Sequence, residues 1–170
     1  MFARRFRQAQ AERRSACLQC CDAPVGRLFK GKIILGKYLG ETLNRAPHGL
    51  GVAMYADDCV YIGEWRDGKR TGFGILESNC NIYEGQYRED VRTGHGIKTA
   101  RKRARTKGKP RKPQQGLWER GVLKCGGVLD REKAANAQAR ARERAETVKK
   151  MLDRIGGSSQ TAQTASAPEP

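Results

Sequence analysis

The sequence predicts a mainly β protein: one elongated, twisted, single-layer antiparallel sheet of consecutive hairpins, followed by a single α-helix. Three observations carry this. Aromatic residues and glycines recur in a fixed pattern, with copies starting at Tyr38, Tyr61 and Tyr83, spaced 23 and 22 residues apart. Within a copy they alternate with period two around turn sequences such as Asp67-Gly68. Residues 130–155 are rich in strong helix formers and place alanines on one helical stripe. With 170 residues, 38% hydrophobic and 31% charged, the chain has material for one modest core and solvated appendages.

The N-terminal segment, residues 1–30, is Arg-rich and is expected to be disordered or helical. Residues 1–32 hold eight Lys/Arg against two acids. The segment lacks the apolar stretch of a secretory signal, and its Arg-rich character leaves a mitochondrial presequence open as an alternative. No run of 18 apolar residues suits a membrane span. Six cysteines without a secretory signal are expected as reduced thiols. Cys17, Cys20 and Cys21 fall at i, i+3 and i+4 beside arginines, a pattern open to lipidation, which a polybasic segment needs for stable anchoring. One C-x-x-C without a second ligand pair does not make a zinc site, and no metal is expected.

Residues 31–128 hold the repeats. Aligned on Tyr38, Tyr61, Tyr83 and Gln114, the copies carry Gly40, Gly63, Gly85 and Gly116 two residues on, then Thr42, Trp65, Tyr87 and Trp118 at four. Further along come the pairs Gly49/Gly51, Gly72/Gly74, Gly94/Gly96 and Cys125/Gly127. The pattern Y-x-G-x-W-x-x-G-x-x-x-G-x-G resembles the MORN repeat, over residues 38 to about 128. The first and last copies depart from it at Thr42, Arg45, Gln114 and Cys125, as terminal caps do. The ending GLWERGVLKCGGVLDREK is similar to the retinophilin type of that family, which binds the tails of class III myosins.

Period two puts Tyr61, Gly63 and Trp65 on one strand face, and Gly72 and Gly74 together on the face of the return strand. Glycine weakens a strand unless something must lie against its backbone. A ring from the facing or adjacent copy is the expected occupant. Each hairpin then depends on its neighbours to cover its rings.

The step from the third to the fourth copy is longer than the others and carries a basic insertion, 98–113. It contains Lys98, Arg101, Lys102, Arg103, Arg105, Lys107, Lys109, Arg111 and Lys112 and no acid. Residues 38–97 hold six basic against nine acidic side chains, so the positive charge lies outside the repeats. An insertion at a hairpin tip costs little loop entropy, and like charges keep it open. Residues 130–155 are expected as one helix, with Asp130 as N-cap and Gly156-Gly157 as its stop. Its alanine stripe suits close approach to the ring-and-glycine face; capping of the last repeat, release to a partner and a solvated helix all stay open. Residues 156–170 are expected as a disordered tail.

No constellation for catalysis stands out. His48 and His95 occupy variable repeat positions, and the Gly-x-Gly pairs lie in strands with no following helix or Lys-Ser/Thr, so no enzyme activity and no cofactor are expected. The expected function is a scaffold or adaptor that docks a protein partner, such as a helical segment, on a face gripped by Tyr61, Trp65, Tyr83, Tyr87 and Trp118. The resemblance implies cytoskeletal or ciliary assemblies and phosphoinositide binding, which in this chain falls to the basic insertion and N-terminus. Anionic membrane is therefore the alternative partner. RNA or other nucleic acid is the third: it would be bound through phosphates, because no aromatic interleaves the basic run. A cytoplasmic location, associated with cytoskeleton or membrane, is expected, with mitochondrial and nuclear alternatives; pairing of two sheets through their edges stays open.

Overall fold

The computed structural model describes residues 24–29, 32–101 and 112–157. The chain folds as a nine-stranded antiparallel sheet in strict sequence order, β1 to β9, followed by one helix, α1. The strands are β1 (Pro24–Phe29), β2 (Lys32–Leu43), β3 (Ala46–Tyr55), β4 (Val60–Arg66), β5 (Lys69–Glu77), β6 (Asn81–Arg88), β7 (Val91–Ala100), β8 (Gln114–Glu119) and β9 (Val122–Cys125). The predicted copies are the hairpins β2–β3, β4–β5, β6–β7 and β8–β9. Strand β1 adds an edge within the segment assigned above to the basic N-terminus. The rest of that segment, including Cys17, Cys20 and Cys21, lies outside the described residues, as do 102–111 and 158–170.

Each hairpin closes through two residues of positive φ: Asn44-Arg45, Asp67-Gly68, Glu89-Asp90 and Arg120-Gly121. Their twist matches that of the flanking strands. Successive turns are joined sideways. The amides of Gly68, Asp90 and Gly121 donate to the carbonyls of Pro47, Arg70 and Arg92, one copy back, at 2.9–3.0 Å. Each copy is thus locked to its neighbour at the turn as well as along the strands.

The two glycines of each return strand have separate tasks, which corrects the expectation that both lie bare on one face. Gly51, Gly74 and Gly96 lie under the first tyrosine of their own copy and not, as expected, under a ring of a facing or adjacent copy, because that tyrosine stands on the strand paired with them. A Cβ there would stand 2.2, 2.3 and 2.5 Å from the hydroxyls of Tyr38, Tyr61 and Tyr83. Gly49, Gly72 and Gly94 sit in β-bulges with φ of 65°, 55° and 61°. Their missing Cβ makes room for the side chains of Glu41, Glu64 and Gln86 on the other face. Glu41 accepts the amide of Leu50 and Gln86 that of His95, at 3.0 and 2.7 Å.

Helix α1 (Val128–Gly157) runs back over the sheet toward β3, but not over the rings. Its buried stripe, Ala134, Ala137, Ala141, Ala145 and Val148, lies on the opposite face, where Leu39, Val52, Val60, Ile62 and Ile75 point. The physical reason is strand alternation: neighbours of the tyrosines face away from them, and four of these, Leu39, Val60, Ile62 and Ile82, are aliphatic residues that the helix covers. The grading of the helix fits. Val148 and Leu152 pack among the aliphatic residues of the early strands, whereas its first half meets the polar Glu84 and His95. Asp130 does not cap the helix. The Gly127 carbonyl accepts the first amide, from Arg131, and Asp130 reaches the sheet at His95 Nε2, 3.3 Å away.

Gly74→Ala is expected to lower stability by about 1–3 kcal/mol in urea denaturation, because the new methyl group displaces the Tyr61 hydroxyl from its seat.

Candidate functional site

Six rings of the ring face form one continuous line, and Tyr55 is buried in the same cluster. Tyr38 meets Trp65, Trp65 meets Tyr61, and the contacts continue through Tyr87 and Tyr83 to Trp118. Centroid separations are 5.1–5.3 Å and interplanar angles 78–88°. From Tyr61 onward, each first-position tyrosine stands between the third-position ring of its own copy and that of the next. Edge-to-face pairs of this kind contribute about 0.5–1.5 kcal/mol each beyond area burial. Hydroxyls and indoles close the polar ends. Tyr38, Tyr61 and Tyr83 donate to the carbonyls of Glu41, Glu64 and Gln86 at 2.7–3.2 Å, and the indoles of Trp65 and Trp118 donate to those of Gly51 and Gly96.

Two arginines cover the line. Arg70 lies over Tyr61 and Tyr87 at 5.6 and 5.4 Å, and Arg92 over Tyr83 and Trp118 at 5.5 and 5.2 Å. Packed against one another and, except for Trp65, beneath these arginines, the five rings assigned to partner binding, Tyr61, Trp65, Tyr83, Tyr87 and Trp118, are only 0–4% exposed. They form the core of this face. What the face presents outward is a groove of about 690 Å³ beside β6 and β7, lined by Tyr87, Arg70, Asp90, Asp57, Leu76, Arg92 and Lys98, with Val91, Asn79 and Cys80 at its rim. Among the described residues, no helix or strand crosses this side of the sheet.

Arg70 is buried and fully engaged. Its Nε binds Asp90 Oδ1 at 2.9 Å, its Nη2 the Asp90 carbonyl at 2.8 Å, and its amide the same carboxylate at 3.1 Å. Arg92, in the same place one copy later, donates to the carbonyl of Gly121 at 3.1 Å. The two arginines each stand nine residues after their copy's first tyrosine, a signal that extending the repeat alignment beyond rings and glycines would have found.

Of the basic insertion, Lys98 belongs to β7 and enters the groove. Arg101 is held at the β5–β6 turn, with Nη2 3.0 Å from Glu77 Oε2 and Nη1 3.2 Å from the Ser78 carbonyl. Lys112 is exposed, and Lys102, Arg103, Arg105, Lys107, Lys109 and Arg111 lie outside the described residues. On the helix side, Glu84 takes Arg142 through two hydrogen bonds and also Gln138, and Glu64 takes Arg144 at 2.8 Å. Among the described residues, no three His, Cys, Asp or Glu side chains are grouped as a metal site, and no helix is long and apolar enough to cross a membrane.

A family model described as MORN repeat matches residues 61–79 and 83–102, the second and third copies. A search of curated proteins found no match.

Asp90→Ala leaves a buried guanidinium without its carboxylate and is expected to cost about 3 kcal/mol of stability in urea denaturation, whereas Arg70→Met with Asp90→Ala costs less. Burial pushes the phenols of Tyr38, Tyr61 and Tyr83 above their ordinary value, helped at Tyr38 by Glu41 and at the other two by Tyr87. The folded chain therefore holds phenolic protons that the unfolded chain releases near pH 10. This contribution is whole below about pH 10 and falls as pH rises beyond it. Urea midpoints measured from about pH 8 to about pH 11 are expected to drop over the upper part of that range.

Proposed function

Because the chain carries MORN repeats, we propose that it is a non-catalytic scaffold or adaptor that docks a segment of a protein partner along the groove on the ring side of its sheet. One observation carries this reading: the helix of the chain itself covers the aliphatic face, while the ring side has its own floor of buried aromatics and a groove that no described helix or strand covers. A rigid floor suits recognition, since little order is lost there on binding. Apolar and charged groups line the same trough, the mixture that protein interfaces use.

The basic segment 98–113 supports a second reading, peripheral binding to anionic lipid, because nine cations and no acid stand together there. The sheet contributes little to it, being net acidic over 38–97. Lipid binding therefore falls to the insertion together with the Arg-rich N-terminus, and docking to the groove.

Substituting the buried rings would test folding and not docking. The informative positions are at the rim, where Val91 is 41% exposed and Asn79 is also exposed. With the full chain as bait in affinity capture, Val91→Arg combined with Asn79→Arg is expected to cut recovery of wild-type-specific partners by roughly tenfold with an unchanged unfolding midpoint. Equal recovery would remove the groove from the mechanism. Vesicle flotation of a chain lacking 99–111 tests the second reading, which requires lipid association to be lost.

A further inference from the structure

We propose that Arg92 and Lys98 form a carboxylate-binding socket in the ring-side groove, and that it takes an acidic side chain of the docked partner segment. The inference rests on the docking reading above and names the chemistry of the partner.

The repeat supplies its own comparison. In the second copy Arg70 lies over two rings and is answered by Asp90, which projects from the turn of the third copy. In the third copy Arg92 lies over two rings in the same way, but the matching turn of the fourth copy has Gly121 where the third has Asp90. Both turns hold that residue at positive φ, 68° at Asp90 and 82° at Gly121. A Cβ built at Gly121 would stand 3.7 Å from Arg92 Nη2, so the turn is placed to answer the arginine and lacks only the side chain. The fold thus shows what such an arginine takes, and the last copy does not provide it from within.

Lys98 makes the difference larger. It stands fifteen residues after Tyr83, where the second copy has Leu76 and the first Ala53. Both Arg92 and Lys98 are half-buried, and among the described residues neither is paired with a carboxylate. Burial, and after it the charge of Arg92, lowers the Lys98 pKa, as expected for two cations sharing one trough. Tyr87, Leu76 and Val91 line the same trough with apolar surface, which suits a peptide that carries acids among apolar residues better than a lipid headgroup at a flat membrane. Charge-assisted bonds from a guanidinium and an ammonium to one carboxylate are the strong kind.

The test uses the full chain and fluorescence anisotropy with two labelled peptides, one an amphipathic leucine–glutamate sequence and the other its leucine–glutamine counterpart. The acidic probe is expected to bind at least about tenfold more tightly. Gly121→Asp supplies the carboxylate from within and is expected to erase that preference while keeping or raising the thermal midpoint, as Asp90 does for Arg70. Gly121→Asn, of the same shape without the charge, is expected to keep most of it, and Lys98→Leu to reduce it with the fold intact. Equal binding of the two probes, no binding of the acidic one, or full preference retained in Gly121→Asp would overturn the socket. If Gly121→Asp instead abolishes binding to phosphatidylcholine vesicles containing phosphatidylserine, and the peptide does not bind, the socket serves a headgroup and the acidic-segment proposal is wrong. The docking reading fails separately, through the Val91 and Asn79 rim variants, so either can fall without the other.

Discussion

The seating of a tyrosine over a glycine that has no Cβ is the contact on which this structure depends. With Gly74 beneath it, the Tyr61 ring lies down across its own hairpin, and its hydroxyl reaches the Glu64 carbonyl. An upright ring would stand away from the sheet and would need a second layer to cover it. A recumbent ring exposes its edges to the rings on either side, and repetition of the hairpin turns that local arrangement into a line of six. The aromatic face is therefore sealed by its own repetition, with guanidinium groups as lids.

Sealing one face settles the use of the other. Aliphatic side chains alternate with the tyrosines, and nothing in the repeat covers them, so the helix is required there. Electrostatics guides it to the same place. The repeats carry excess acid and the helix excess base, and Glu64 and Glu84 receive Arg144 and Arg142 where the apolar contact gives way to polar contact. Those carboxylates project from the helix-side positions of strands whose other face holds the rings, so one strand serves two unlike surfaces.

Departures from the repeat matter as much as adherence to it. Asp90 and Gly121 occupy equivalent turns, yet one neutralises an arginine of the preceding copy and the other leaves its arginine to the groove. Lys98 replaces the leucine of the copy before. A regular array would have presented an even, internally satisfied surface; the less regular fourth copy gives this side of the sheet a positive end.

The amino-acid sequence by itself determined the hairpins, their order, the helix and the identity of the ring residues, because alternation, turn chemistry and a fixed period are local signals that neighbours in the chain enforce. It also announced that something must lie on the return-strand glycines, without separating Gly51, Gly74 and Gly96, which lie under rings, from the bulge glycines Gly49, Gly72 and Gly94. Which ring did so, which face the helix chose and whether the aromatics were surface or core were tertiary decisions. They depend on curvature and on side chains twenty or more residues apart meeting across copies, as Arg70 meets Asp90. The groove belongs to the same class: its floor is spelled out in the motif, but its charge arises from the difference between two turns that only the stacked sheet makes comparable.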